Sequence, residues 1–448
     1  MKDVVKAHGV ASLDLERHMS EMAGRDIQFT GAVQRLRRVG WGAFIVVRLP
    51  RSLVQCVASS EGLDYDLDKL REGDIVTIDG KLVAARIKDI TISPRTVEVQ
   101  VTAIRDIVKI AEPLPIDLAK KELNLNLDTK LDWRPISLRH PLERAVFKIE
   151  EGICRGFRDA LLAQDFTEIH TPKLVFAGAE GGANIFKVEY FGRSAFLAQS
   201  PQFYKQYGVG IYGRVFEVAP VFRAEKHQTS RHLNEYTSLD YEMSPITGHE
   251  EIMGLEILVL RYILARLRAE YSYELEMTGA RLPELGEEVP RVTLAEAHDI
   301  IHREYGKDFR GEPDLEPEAE RLLCRWSAEH RGSEFIFVTH YPSEKRPFYA
   351  KDDPAAPGTT LSFDLLCRGL EITTGGQRIN DYEEQVAKLR SFGMNPDEFQ
   401  SFLQFHKYGA PPHGGLGMGL ERLTAQLLGL ENIREATMYP RDIKRLTP

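Results

Sequence analysis

Between residues 26 and 110, apolar and polar positions alternate in short bursts. Ile27 to Val33, Ala43 to Arg48, Leu53 to Ala58, Ile75 to Val83 and Thr96 to Ile107 are rich in Val, Ile and Thr, and Val39-Gly40-Trp41-Gly42 separates the first two. That texture predicts strands. Five of them in about 80 residues predict a small closed barrel of OB type, although an SH3-like barrel would read much the same. Ala111-Glu112-Pro113-Leu114-Pro115 then reads as a stiff, extended linker. The predicted organisation is therefore a barrel over residues 1–112, a hinge over 113–140 and a larger domain over 141–448.

The period changes after the linker. Pro141 suits the first position of a helix, where its missing N–H needs no partner. Val146, Ile149, Ile153, Phe157 and Leu161 follow at spacings of three or four, which is one apolar stripe. Further helices are predicted at about 250–270, 381–392, 396–407 and 419–429. Strand-like runs lie between them at Ala195 to Ala198, Arg214 to Phe222, Glu235 to Met243, Phe335 to Thr339, Leu361 to Leu366 and Ile372 to Thr374. Strands and helices do not alternate strictly, so a doubly wound parallel sheet is not expected. The fold class is α+β, with a mainly antiparallel sheet flanked by helices.

Composition narrows the function classes. With 448 residues, 43% hydrophobic and 28% charged, the chain reads as globular. Cys56, Cys154, Cys324 and Cys367 form no C-x-x-C pair, so neither a zinc site nor a disulfide framework is expected. The start lacks a secretory signal. The most apolar helical stretch, Ile252 to Leu264, carries Glu256 and Arg261 and is too short for a bilayer. The expected location is cytoplasmic, away from membranes. The net charge of −9 argues against a general nucleic-acid binder, but residues 1–111 hold 17 Lys/Arg against 15 Asp/Glu. Arg35, Arg37 and Arg38 cluster there, either as a phosphate contact or as a solvated strand end.

No G-x-x-x-x-G-K-[ST] is present, which excludes a P-loop. Gly415-Leu416-Gly417-Met418-Gly419 precedes a predicted helix, but Pro411-Pro412-His413 stands where a dinucleotide fold needs a strand. By itself the stretch reads as a tight helix entry. Its company changes that weight. Arg422 lies at the start of the helix, and Arg223 closes a predicted strand just before Glu225. A guanidinium offers a planar fork for phosphate and a flat face for a base. Two arginines on separate elements can make an ATP site without a P-loop.

Val221-Phe222-Arg223-Ala224-Glu225 with Arg231-His232-Leu233-Asn234-Glu235 resembles motif 2 of the class II aminoacyl-tRNA synthetases. Gly417 to Arg422 resembles motif 3, and Ile169-His170-Thr171-Pro172 resembles motif 1. Ala179-Glu180-Gly181-Gly182 is similar to the loop over the amino acid. Gln199 to Gln206 is similar to the substrate-recognition strand, and Phe363 to Leu366 with Gly369 to Arg378 to the metal and aspartate region. Nearly the whole chain, from about 25 to 448, resembles aspartyl-tRNA synthetases of the short archaeal type, which lack the bacterial insertion domain.

The resemblance implies an enzyme that activates L-aspartate with ATP and Mg²⁺, then transfers it to tRNA(Asp), or to tRNA(Asn) as well. Arg223, Glu371 and Arg422 carry the chemistry. ATP is held by Arg223, Glu225, Arg231, His232, Leu233, Tyr236, Glu371, Gly419, Leu420, Glu421 and Arg422. Glu180, Gln202, Lys205, Arg223, Thr374 and Arg378 bind aspartate, and Glu371 and Thr374 bind the metal. Two cations, Lys205 and Arg378, facing the substrate side chain favour a carboxylate over an amide. Thr374 stands where the family usually has serine and keeps the hydroxyl. Phe44, Gln55 and Glu98 match anticodon-reading positions, and Pro172 implies a homodimer. The barrel departs from the family at Gly31-Ala32-Val33-Gln34, which lacks the usual tryptophans, and at Arg48-Leu49-Pro50-Arg51-Ser52. Two alternatives are a tRNA-independent aspartate-activating ligase and a non-catalytic tRNA-binding paralogue. The barrel counts against the first, and the presence of Arg223, Glu371 and Arg422 against the second.

Overall fold

The computed structural model describes residues 5–7, 15–16, 18–176, 184–226 and 229–448. The chain forms two compact units, Met1–Ala145 and Val146–Thr447.

The first unit is built on five strands: β1 (Asp26–Val39), β2 (Gly42–Arg48), β3 (Leu53–Ser59), β4 (Ile75–Ala84) and β5 (Val97–Val108). Their order is β1-β2-β3-β5-β4, and β4 pairs back onto β1, so the sheet closes. The β3–β5 pair is parallel and the other pairs are antiparallel. This is the OB arrangement. Alternate residues fill the interior, among them Ile27, Phe29, Ala43, Ile45, Val47, Val54, Cys56 and Ala58. β1 is longer than the sequence pattern predicts. A register shift between Val33 and Arg35 re-phases the strand, which then runs on to the hairpin. It therefore carries the arginine cluster. Arg35 pairs with Asp89 at 2.6 Å, and Arg38 donates to the carbonyls of Leu67 and Leu70. Both brace the barrel itself, while Arg37 lies over the Phe44 ring.

The second unit is organised by an eight-stranded sheet. Its strands are β6 (Thr167–Glu168), β7 (Arg214–Phe222), β8 (Glu235–Met243), β9 (Arg291–Thr293), β10 (Phe335–Thr339), β11 (Ser362–Cys367), β12 (Leu370–Gln377) and β13 (Gly414–Gly419). The order is β9-β10-β11-β12-β13-β8-β7-β6. Only the outermost pairs, β9–β10 and β7–β6, are parallel. The principal helices are α1 (Pro141–Leu162), α2 (Gln202–Tyr212), α3 (His249–Glu270), α4 (Leu294–Tyr305), α5 (Pro317–Arg331), α6 (Tyr382–Ser391), α7 (Gln400–Lys407) and α8 (Leu420–Leu428). Ile149, Ile153, Phe157 and Leu161 of α1 share one core with Ile252, Val259, Leu260 and Ile263 of α3. The sheet contributes Phe216, Leu239, Tyr241, Phe363, Leu416 and Met418 to it. Each such side chain contributes about 1.5–3 kcal/mol on burial. This core fixes one face of the sheet and leaves the other for the site. α4 and α5 pack on β10 through a separate core that includes Ala297, Ile301, Leu323 and Val338.

Two local expectations are corrected. Gly414–Gly419 is a central strand, not merely a helix entry. Only Leu416 and Met418 carry side chains on this strand, both turned into the core, and the glycines between them read as a turn rather than a strand; glycine is required here by crowding. A Cβ at Gly415 would sit 2.0 Å from the Tyr241 carbonyl oxygen, and one at Gly414 would sit 2.4 Å from Ile252. Gln202 to Gln206, expected in a strand, opens helix α2. Gln202, Lys205, Gln206 and Val209 form its buried face at helical spacing. That face is mostly polar, so apolar periodicity does not reveal it.

Candidate active site

The side-chain alternation of β8 separates the two faces of the sheet. Leu239 and Tyr241 enter the core, while Tyr236, Ser238 and Asp240 line a cavity of about 510 Å³ on the other face. Pairing registers extend one row of this face across four strands: Asp240 opposite Gly417, Gly417 opposite Thr374, and Thr374 opposite Asp364. Glycine at 417 keeps that row open, because a Cβ there would lie 3.2 Å from the Asp240 carboxylate.

One end of the cavity is closed by a buried charge network. Lys205, on the polar face of α2, donates to Asp240 at 2.8 Å and to the Leu416 carbonyl at 2.9 Å, with Glu242 3.4 Å away. Arg378 donates to Glu242 at 2.9 Å, to the Gly415 carbonyl at 3.0 Å and to Gln202 at 3.3 Å. Gln202 also donates to Glu242 at 3.2 Å. Burial pushes the Glu242 carboxyl up, but Arg378 and Lys205 outweigh that and hold it below its ordinary range. Behind the network Gln206 meets His413 at 2.8 Å. Burial drives that histidine down to about 4, so it is neutral at physiological pH.

This corrects the charge argument from sequence. Lys205 and Arg378 are not bare cations awaiting a substrate carboxylate, since Asp240 and Glu242 already balance them. Cations this buried require counter-charges. Asp240 and Glu242 stand at period-two spacing on β8, a pattern that in the sequence reads only as part of a strand.

The other end gathers the arginines. Arg223 follows β7. Its backbone is tied to Asn234, whose side chain donates to the carbonyls of Arg223 and Glu225. Its guanidinium lies 5.8 Å from the centre of the Tyr236 ring. Arg422, in the first turn of α8, donates to the Glu371 carbonyl at 3.0 Å and lies 3.3 Å from its carboxylate. The Thr374 hydroxyl donates to that carboxylate at 2.9 Å. Burial raises the Glu371 pKa, but Arg422 and Thr374 reverse the effect and keep the group ionised. Arg231 is ion-paired with Glu320 of α5. Beside β12, Arg346 pairs with Asp364 at 2.7 Å, and burial pushes Asp364 up to about 6.

Gln202, Lys205, Arg223, Glu225, Arg231, His232, Leu233, Tyr236, Glu371, Thr374, Arg378, Gly419, Glu421 and Arg422 all line this one cavity. Leu420 does not; its side chain is packed in the core. Glu421 is buried at the cavity edge, where its carboxylate accepts the Thr237 N–H at 2.9 Å and so fixes α8 to β8. Burial pushes it up to about 7. Glu180 lies outside the described residues. Pro172 is exposed, in a segment anchored by Thr171 and Lys173 to Glu217. Asp240, Glu242, Glu320 and Arg346 are not among the residues expected from sequence, and Asp364 is expected only as part of the Phe363 to Leu366 segment, with no role of its own. In the barrel, Phe44 is half-buried with the Trp41 ring edge-on at 5.6 Å. Gln55 donates to Glu98 at 2.7 Å on the neighbouring strand.

A sheet of this order, with arginines from the strand-end segment and the following helix over a glycine floor, defines a class of enzyme. The family described as tRNA synthetases class II (D, K and N) matches residues 126–443, and the chain belongs to it. It is 44% identical over 439 residues to the aspartate–tRNA(Asp/Asn) ligase of Deinococcus radiodurans, covering 97% of this chain and 98% of that one. It is 37% identical over 435 residues to the aspartate–tRNA(Asp) ligase of Pyrococcus abyssi, covering 96% and 97%. Among solved structures, asparaginyl-tRNA synthetase from Pyrococcus horikoshii, complexed with asparaginyl-adenylate, superposes with a TM-score of 0.87. It shares 31% identity and covers 96% of this chain and 98% of that chain.

Proposed function

We infer that this chain is an aspartate–tRNA ligase, using ATP, L-aspartate and tRNA as its substrates. The observation that carries the reading is the joining, in one cavity, of an arginine-rich end to a buried Lys205–Asp240–Glu242–Arg378 network. In the first step an α-carboxylate oxygen of aspartate attacks the α-phosphorus of ATP, and pyrophosphate leaves. In the second a ribose hydroxyl at the tRNA 3′ end attacks the aspartyl carbonyl, and AMP leaves. The first step needs charge neutralisation and alignment more than a covalent nucleophile. Arg223 neutralises the α-phosphate and the attacking carboxylate. Tyr236 and Arg422 flank the adenine, Glu225 accepts from its amino group, and Arg231 and His232 face the distal phosphates. Arg378 and Lys205 orient the substrate side chain, sharing donors with their own carboxylates.

Glu371, Thr374 and the neighbouring Asp364 suit Mg²⁺. Asp364 Oδ1 is buried without a well-formed hydrogen bond, with the Tyr341 hydroxyl close by, and hard oxygen ligands in small number, completed by phosphates, fit that ion. Bound there, the ion would neutralise phosphate charge. No cluster of three or more acidic, His or Cys residues forms a metal cage among the described residues.

The barrel, residues 1–112, serves as the anticodon-binding domain, and residues 141–448 as the catalytic domain. Charging extends to tRNA(Asn). The Gly31 to Gln34 stretch lacks the tryptophans usual in the family, and its Gln34 is buried and bonded to Arg48 and the Leu118 carbonyl, so this stretch offers no indole for rejecting a base. Pro172 with the exposed Leu174 and Phe176 supports a homodimer. No helix among the described residues is long and apolar enough to cross a membrane. The test is charging of purified tRNA(Asp) and tRNA(Asn) side by side, with Arg223→Ala as the site control. Both tRNAs should be aspartylated by the wild type, and Arg223→Ala should lose ATP–pyrophosphate exchange while staying folded. Charging of tRNA(Asp) alone refutes the dual specificity, and normal exchange by Arg223→Ala refutes the site.

A further inference from the structure

Helix α5 belongs to the segment between β9 and β10, outside the motifs that define the site. Glu316 stands at its N-cap position without a side-chain capping bond, and Pro317 opens it. Ala319, Leu323 and Cys324 of its inward face are apolar and packed in their own core. Glu320 shares that buried side but is a carboxylate, 7% exposed. Burying a charge there costs several kcal/mol without a partner, and packing alone would favour an apolar residue. The partners it does have belong to the active site. It is ion-paired with Arg231, and the same oxygen accepts the Glu371 backbone N–H at 3.4 Å. The Glu371 and Arg422 side chains are its next charged neighbours.

We propose that Glu320 is a positioning residue for aspartate activation, holding the Arg231 guanidinium and the Glu371 backbone ready to receive the phosphate end of ATP. It does so without touching substrate. A free arginine side chain samples many rotamers, and ordering it on ATP binding would oppose binding. Anchoring one of its nitrogens on Glu320 removes much of that loss and leaves other N–H donors of the fork for phosphate. α5 is thereby part of the catalytic apparatus as well as packing material. The proposal rests on the assignment of Arg231 to the distal phosphates.

The test uses the full-length enzyme and the variants Glu320→Gln, Arg231→Ala and their combination. Glu320→Gln keeps the shape and one acceptor but loses the charge. It should lower kcat/KM for ATP in pyrophosphate exchange roughly tenfold or more, the size expected for one weakened charge-assisted bond. KM for aspartate should hold. Single-turnover transfer from preformed enzyme-bound aspartyl-adenylate to tRNA should also be unchanged, because the phosphates it positions have left. The double variant should be no worse than Arg231→Ala alone. An unchanged or improved kcat/KM for ATP in Glu320→Gln overturns the proposal, as would additive losses or an equal fall in both half-reactions. If Arg231→Ala itself leaves ATP use intact, the assignment of this end of the cavity fails together with the proposal. If Arg231→Ala is crippled and Glu320→Gln is not, the proposal alone fails.

Discussion

Glu256 lies at the middle of α3, fully buried against the face of the sheet opposite the cavity. Neither of its oxygens has a well-formed hydrogen bond. Burial pushes its pKa from 4.5 up to about 8. The Thr373 hydroxyl relieves it slightly, and the Asp364 charge adds to the rise. Tyr241 and Glu242 are further ionisable groups close by. At neutral pH the folded protein therefore keeps a proton that the unfolded chain releases. The sign follows from linkage. The contribution of a group with a raised pKa is fully present below the unfolded value and is lost as pH climbs through the folded one. At 1.36 kcal/mol per unit, about 3 kcal/mol is lost between pH 5.5 and 9. Glu256→Gln has the shape of the protonated acid and does not titrate. Measured by urea or thermal unfolding across that range, the variant should gain on the wild type by about 3 kcal/mol. That is several degrees in Tm for a unit of this size, and the other titrating groups cancel in the comparison. A difference in stability that stays constant from pH 5.5 to 9 would refute the reasoning.

The buried network and the barrel give two further tests. Lys205→Met should cost about 3–5 kcal/mol of stability, because Asp240 and Glu242 are left with one cation between them, and it should abolish aspartate-dependent pyrophosphate exchange. Urea unfolding and exchange read these separately, and wild-type stability would mean the carboxylates find relief elsewhere. Phe44→Ala should weaken tRNA binding by about 1–3 kcal/mol through lost base stacking while leaving exchange untouched. An unchanged KM for tRNA would remove Phe44 from the anticodon face.

The parts of the fold legible in the sequence are those where burial follows apolar pattern. The five barrel strands show it, as do α1 with its stripe from Val146 to Leu161 and α3. The parts that were not legible have other causes. β13 has glycine at four of its six positions, so only Leu416 and Met418 hint at a strand, and its place beside β8 depends on close backbone approach at Gly414 and Gly415. The buried face of α2 is Gln202, Lys205 and Gln206, the inverse of an apolar stripe. The residues of the site come from segments more than 200 positions apart, and their grouping in sequence rested on family resemblance rather than periodicity. That resemblance covers the residues it assigns to ligands. It did not extend to residues that hold those residues, and this is why Asp240, Glu242, Arg346 and Glu320 emerged only from the coordinates.

Those supporting residues alter how the site is understood to work. Lys205 and Arg378 face Asp240 and Glu242, Arg422 faces Glu371, Arg231 faces Glu320, and Arg346 faces Asp364. Five cations meet five carboxylates in or beside the cavity proposed to accept ATP and aspartate. A site of uncompensated arginines would repel itself and attract any anion. A compensated one keeps its donors in fixed directions, and a ligand gains only where its own oxygens match those directions better than water does. On the proposed placement of aspartate against Lys205 and Arg378, discrimination from asparagine turns on geometry at shared donors. An amide nitrogen presented to Lys205 and Arg378 sets donor against donor and leaves a buried group unsatisfied. Selectivity of this kind depends on Asp240 and Glu242 as much as on the cations, because without them Lys205 and Arg378 would reorient toward whatever acceptor is present.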